Sequence, residues 1–322
     1  MHRYTLFGLT FASEIEFPHL LSGEGECEFV IHKGAVAAQP PPELSNLVAS
    51  YWRSEGSLFL RWTGVATCQV LGTNEIVVDV PPCSDMARVG QFIVGPAIGA
   101  LLHLKGVFML HASAVEMGGR AVLFVGGKGH GKSTLAATMY DRGHGFISDD
   151  IVPITLLEDQ LLVSPSYPQV RLWPDAIESM GRNPESLPRL SELFSKRYRL
   201  LEERFQQSPL PLAGIYQLRA TGDELNIERL EPQDALMALL QNIYVARFGD
   251  LLLKPSEGSM LKMSAEIVRR APLMRLNRPS SLAMLDRCAK LVEEVEEQVS
   301  GGCFQDIGPT TAAESDVITA AL

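Results

Sequence analysis

The sequence predicts an α/β protein in which a small, mainly β N-terminal region precedes a larger domain built on a helix-covered sheet. Three observations predict it. Short β-type runs separated by turn residues fill the first 83 positions. An apolar run, AVLFV, leads directly into the glycine-rich stretch GGKGHGKST at residues 126–134. Behind that stretch, STLAATMYDRG has helix-forming composition and is followed by the strand-like HGFISDDIVPI. Strand, loop, helix and strand within about 30 residues make a βαβ unit, which requires a parallel or mixed sheet with helices on its faces.

Residues 1–83 form the β-rich N-terminal domain. Its strands are CEFVIH, SLFLRWTG, ATCQVLG and EIVVDVPP, and QPPPELSN is a loop because consecutive prolines remove backbone donors. Residues 84–106 form a connecting helix, with Ser84 and Asp85 as N-cap candidates and Gly106 as its stop. Residues 107–300 form the larger, helix-covered domain. It begins with VFMLHASAV and GGRAVLFV, two buried strands around a Gly-Gly turn, and continues into the helix with Leu135 and Met139 on its apolar face and Gly143 at its end.

The segment 164–211 is proline-rich, with helical pieces predicted over Asp175–Met180 and Leu190–Glu203. LAGIYQLRA and LNIERLE read as a strand pair. PQDALMALLQNIYVARF is a helix, a second helix covers Ser259–Arg270, PLMRLNRP is a late strand, and Ser280–Gln298 is a final helix with an acidic, solvated tail. Residues 301–322 lack periodicity and read as a mobile tail.

With 322 residues and 46% hydrophobic content the chain can bury a substantial core. Lys and Arg number 28 against 38 Asp and Glu, and the net charge of −10 argues against nucleic acid and anionic membranes as partners. Cys27, Cys68, Cys83, Cys288 and Cys303 are widely spaced and form no C-x-x-C pair, which speaks against a zinc ribbon or a disulfide scaffold and for a reducing cytoplasm. The N-terminus lacks a secretory h-region, and the longest apolar run, FIVGPAIGALLHL, reads as too short to span a bilayer.

Gly126, Gly131, Lys132 and Ser133 satisfy the pattern G-x-x-x-x-G-K-[ST] between a strand and a helix. In that setting Gly126, Gly127, Lys128, Gly129, His130, Gly131, Lys132, Ser133 and Thr134 line a phosphate cradle, with Lys128 and His130 at variable positions. Glycines let backbone N–H groups turn towards phosphate oxygens, Lys132 reaches the terminal phosphates, and the Ser133 hydroxyl ligates Mg²⁺. The next strand ends in Asp149 and Asp150, 17 and 18 residues past Lys132. Adjacent residues of an extended strand point opposite ways, so a bend is needed to present both. A shared Mg²⁺ would relieve their repulsion, leaving one carboxylate to take a hydroxyl proton. His111 lies on the strand that leads into the loop strand, where a histidine is either a hydrogen-bonded structural residue or a group at the reacting phosphate.

HASAV, GGKGHGKST and FISDD together resemble the catalytic domain of HPr kinase/phosphorylase and its relatives, the HPr-kinase-like serine kinases. The resemblance implies a P-loop kinase domain similar to phosphoenolpyruvate carboxykinase, with ATP or another nucleoside triphosphate and Mg²⁺ as cofactors. It implies that Asp149 is the base activating a serine hydroxyl, that Asp150 and Ser133 serve the metal, and that His111 lies close to the transferred phosphate. The chain departs from that family in its N-terminal domain and lacks a counterpart of the second signature associated with phosphorolysis. PQVRLWPDA, KRYRL and PLMRLNRP look instead like the HPr-kinase-like enzymes found with lasso-peptide biosynthesis, which phosphorylate a serine at the C-terminal end of a precursor peptide. Among the basic residues Arg171, Lys196, Arg197, Arg275 and Arg278, Arg171 is the first choice for the cation at the transferred phosphate. Two other readings stay open: a nucleotide-binding switch or ATPase without a peptide acceptor, and a small-molecule kinase. A homo-oligomer also stays open.

Overall fold

A computed structural model describes residues 1–191, 194–222, 224–300 and 307–310. Alternating burial builds the first sheet, as in ATCQVL, where Ala66, Cys68 and Val70 are buried and their neighbours are not. Its strands are β1 (His2–Leu6), β2 (Leu9–Ser13), β3 (Leu21–Ser22), β4 (Phe29–Lys33), β5 (Ala49–Ser54), β6 (Ser57–Trp62), β7 (Ala66–Leu71) and β8 (Glu75–Asp79), in the order β3-β1-β2-β4-β8-β7-β6-β5. β1, β2, β3 and β5 were not among the strands expected from sequence.

Asp85 caps the following helix, its carboxylate accepting the N–H groups of Ala87 and Arg88. α1 (Met86–Phe92) runs through a π-helical turn, Ile93–Ala97, into α2 (Ile98–Leu104). Pro96 lies in that turn, where its missing N–H is tolerated by the wider winding. The continuous helix Met86–Leu104 is 19 residues long, so by length and composition alone it is able to cross a membrane, contrary to the shorter run read from sequence. Its residues are spent otherwise. Val89, Phe92, Ile93, Ala97, Ile98 and Leu101 are buried in one apolar core shared with Phe11 and Ile31 of the first sheet and Leu123 and Ile147 of the second.

The remaining strands are β9 (Phe108–Leu110), β10 (Ala112–Met117), β11 (Arg120–Val125), β12 (Gly145–Asp149), β13 (Val152–Leu157), β14 (Gln160–Val163), β15 (Gln169–Leu172), β16 (Arg189–Ser191), β17 (Phe194–Leu200), β18 (Leu210–Ala220), β19 (Leu225–Arg229), β20 (Leu273–Arg278) and β21 (Ile307–Thr310). The helices are α3 (Lys132–Asp141), α4 (Pro174–Ser179), α5 (Pro232–Leu240), α6 (Asp250–Arg270) and α7 (Leu285–Ser300). Ten strands form a mixed sheet, β12-β10-β11-β18-β14-β13-β9, with β20, β19 and β21 extending from β18; β15, β17 and β16 form a separate three-stranded sheet.

Several expected elements are corrected. VFMLHASAV is split at His111, because β9 pairs with β13 while β10 pairs with β11 and β12. LAGIYQLRA and LNIERLE are not partners, since β20 lies between them, parallel to β18 and antiparallel to β19. The segment expected as a helix over Leu190–Glu203 contributes β16 and β17, because pairing with β15 overrides its helix-forming composition. α6 begins at Asp250 rather than Ser259, and the helix expected over 232–248 stops at Leu240, with a 3₁₀ turn at Tyr244–Phe248. Within the expected tail, Ile307–Thr310 pairs with β19; the rest of 301–322 lies outside the described residues.

Topology places the site. β11 and β12 both run antiparallel to β10, so they are parallel to each other with β10 between them. Ala112 pairs with Val125 and Ser113 with Asp149. The start of β10 and the ends of β11 and β12 therefore share one edge, and His111, the glycine loop and the acid pair emerge there together.

Candidate active site

The loop from Gly126 to Gly131 demands glycine at two positions in particular. Gly131 has φ +83°, and a Cβ there would sit 2.6 Å from Arg278 Nη2. Gly126 has φ +145°, and a Cβ would come within 3.0 Å of the Leu218 carbonyl oxygen. Three contacts hold the loop's shape. Asn242 Oδ1 accepts the Gly126 N–H at 3.0 Å, Arg278 Nη2 donates to the His130 carbonyl at 2.8 Å, and the His130 ring nitrogen lies 3.1 Å from the Leu218 carbonyl.

Gly131 caps α3, so the first N–H groups of that helix open onto the loop. Lys132 is only 7% exposed, and its Nζ donates to the carbonyls of Gly126 at 2.8 Å and Gly127 at 3.2 Å. Burial lowers its pKa, while the charges of Asp149 and Asp150 work in the opposite direction. Thr134 is buried within α3, whereas Lys128 and Gly129 are exposed.

The two aspartates face the loop because the backbone bends between them. Asp149 ends β12, and Asp150 takes a left-handed conformation, φ +76°, that breaks the strand alternation. They have different partners. Asp149 Oδ1 accepts the hydroxyls of Ser133 at 2.8 Å and Ser113 at 2.6 Å, and Oδ2 accepts the Arg171 N–H at 3.3 Å. Asp150 Oδ1 lies 3.0 Å from His111 Nδ1 and 3.6 Å from Arg247 Nη2, and Oδ2 lies 3.9 Å from Arg171 Nη1. Burial opposes ionisation of Asp150, but the His111 hydrogen bond and the charges of Arg247 and Arg171 outweigh it and hold the carboxyl well below the usual carboxylate range.

His111 and Asp150 remain open to solvent, with side chains 30% and 24% exposed. The His111 N–H donates to the Asn242 carbonyl at 2.7 Å, so Asn242 ties both the histidine and the first loop glycine to the end of α5.

Of the basic residues expected at the site, Arg171 is in place, its Nη2 donating to the Tyr167 hydroxyl at 2.8 Å. Lys196 is close enough for its proton affinity, lowered by burial, to be raised by Asp149. Arg197 turns away and is buried against Glu185. Arg275 pairs with Glu228 at 3.1 Å, and Arg278 supports the loop from beneath. Ser113, Tyr167, Asn242 and Arg247 were missed by the sequence reading. Ser113 carried a signal, since it follows His111 by two in a run read as one strand, where alternate residues share a face; Arg247 and Asn242 lay in a segment read as continuous helix.

Residues 103–172 match the family model of the HPr Serine kinase C-terminal domain. The matched segment is HPr kinase-like. A second comparison agrees: 56 residues, 17% of this chain, are 39% identical to HPr kinase/phosphorylase from Chlorobium phaeovibrioides and span 17% of that relative. The solved structure of the Hpr(Ser) kinase/phosphatase from Coxiella burnetii is covered over 99% of its chain by 60% of this one, at 14% identity and a TM-score of 0.34. The HPr kinase-like segment contains His111, Ser113, the glycine loop, Asp149, Asp150 and Arg171, whereas Asn242 and Arg247 reach the site from outside it.

Proposed function

We propose that the protein is an Mg²⁺-dependent kinase that transfers the γ-phosphoryl group of ATP to a serine hydroxyl of a peptide or protein. The observation that carries this reading is the separation of the two acids. One is bound to the hydroxyl that follows the loop lysine, and the other is bound to a solvent-open histidine between two arginines.

In this reading the loop N–H groups and Lys132 hold the triphosphate. Ser133 and Asp149 fit a magnesium ion, because both present hard oxygens. A magnesium ion held by these two would take its remaining oxygens from phosphates and water. Bound there, the ion would neutralise charge between the β- and γ-phosphates. This geometry supports dividing the roles in the reverse of the family-based expectation, with Asp149 serving the metal and Asp150 receiving the proton.

The serine oxygen forms its bond to the γ-phosphorus as the bond from phosphorus to the β-bridging oxygen breaks. The hydroxyl proton passes to Asp150, and ADP leaves. A carboxylate of low basicity accepts that proton late, which suits a loose transfer with little bond formation at its midpoint. His111 orients the carboxylate, and Arg171 and Arg247 offset the negative charge spread over the equatorial oxygens.

Within this class, the C-terminal serine of a lasso-peptide precursor is the specific acceptor that PQVRLWPDA, KRYRL and PLMRLNRP support, and the cytoplasm is the compartment that the unpaired cysteine spacing supports. The test is label transfer from γ-labelled ATP with Mg²⁺ and a library of serine peptides. The reading requires label on serine with one ADP formed per phosphate transferred. Release of all label as free phosphate, unaffected by peptide, would establish the ATPase or switch reading instead.

A further inference from the structure

A cleft of about 550 Å³ lies between the first sheet, α1 and the three-stranded sheet. Its apolar lining includes Phe17, Leu20, Met86, Val94, Tyr167 and Tyr198. Met86, a large apolar residue of this lining, is 47% exposed. The ring of His19, from the first sheet's β2–β3 connection, meets that of Tyr198 on β17 at 5.5 Å, so the two parts of the molecule close one end of the cleft.

One face of the small sheet links the residues that line the cleft to the acid pair. Arg171 of β15 pairs directly with Tyr198 of β17, so their side chains share a face. Gln169 and Lys196, each two residues away along its own strand, share it too. Gln169 and Tyr198 line the cleft. At the other end of the same face, Arg171 lies 3.9 Å from Asp150. Tyr167 joins the two, because it lines the cleft and its hydroxyl accepts from Arg171 at 2.8 Å.

A small alcohol seated at Asp150 would leave this cleft unused. An acceptor that fills both must be a chain, with its hydroxyl at the carboxylate and another side chain beyond Arg171. We propose that the cleft is a docking subsite for the acceptor polypeptide and takes a large apolar side chain, aromatic or leucine-like, a few residues from the phosphorylated serine. The inference rests on the kinase reading above and narrows its substrate to polypeptides with that pattern. Burying one such side chain favours it over a charged one by about tenfold or more.

The test uses the full-length enzyme, ATP, Mg²⁺ and a serine-centred peptide library varied at one flanking position at a time. Wild-type enzyme selects Phe, Tyr, Leu or Met over Asp and Lys by about tenfold at one offset. Met86→Asp shifts the preference at that same offset towards Lys and Arg, and Met86→Lys shifts it towards Asp and Glu. A reversed preference cannot come from a misfolded variant, and Met86 opens α1 at an exposed position where either charge is accommodated. Phosphopeptides with no preference, or with one that neither variant moves, would overturn the subsite while leaving the kinase reading in place. An absence of any phosphopeptide from the wild-type enzyme would overturn the kinase reading itself, and the subsite with it.

Discussion

His111 Nδ1 lies 3.0 Å from Asp150 Oδ1 and 3.1 Å from the Asp150 carbonyl oxygen. Both contacts depend on the left-handed backbone at Asp150, which turns its side chain back towards the start of β10. Asp150→Asn keeps the shape but removes the proton acceptor, so phosphopeptide formation is expected to fall by about 10² or more with nucleotide affinity retained. Steady-state kinetics together with nucleotide titration check this.

Lys132 is buried among loop carbonyls and two carboxylates. Lys132→Ala is expected to abolish productive ATP binding, because the remaining loop N–H groups are not matched by a cation at the terminal phosphate. Calorimetric titration of the folded variant with Mg-ATP reads this directly.

Gly131→Ala places a methyl group 2.6 Å from Arg278 Nη2 at φ +83°. The left-handed backbone alone costs an L-residue about 1–2 kcal/mol, and Arg278 must also release the His130 carbonyl. Thermal unfolding should show a lower Tm, and nucleotide affinity should fall with it. An unchanged loop would contradict the contact.

Glu296 supplies a pH signature remote from the site. It lies on the buried face of α7, its Oε1 accepting the Tyr216 hydroxyl at 2.6 Å. Burial raises its pKa, and the Tyr216 hydrogen bond and the Arg120 charge only partly oppose this. Between the usual carboxylate pKa and that raised value the folded chain holds a proton the unfolded chain has lost, so stability falls as pH rises through the window. Glu296→Gln keeps the acceptor for Tyr216 and removes that fall. Tm measured from pH 4 to 8 should be flatter for the variant than for the wild type.

The glycine loop was legible because its constraints are local: left-handed backbone, a strand before it and a helix after it. The approach of His111 and the acid pair was legible from the βαβ unit, and the bend it required is found at Asp150. Which acid faced which partner was not, since alternation along a strand cannot say where a bent end points. Asn242 and Arg247 were hidden for another reason. They reach the site from the end of α5 and the 3₁₀ turn after it, about 100 residues downstream, and no periodicity in the sequence marks that return. The segment around β17 was misread because FSKRYRL has helix-compatible composition and becomes a strand only by pairing with β15.

The division of labour between the two acids is tested most directly by measuring single-turnover phosphotransfer in Asp149→Asn and Asp150→Asn across a range of Mg²⁺ concentrations. The account predicts that Asp149→Asn needs about tenfold more Mg²⁺ or higher but recovers much of its rate at saturation, while Asp150→Asn stays slow at every concentration. Recovery of Asp150→Asn at high Mg²⁺, with Asp149→Asn remaining inactive, would contradict it.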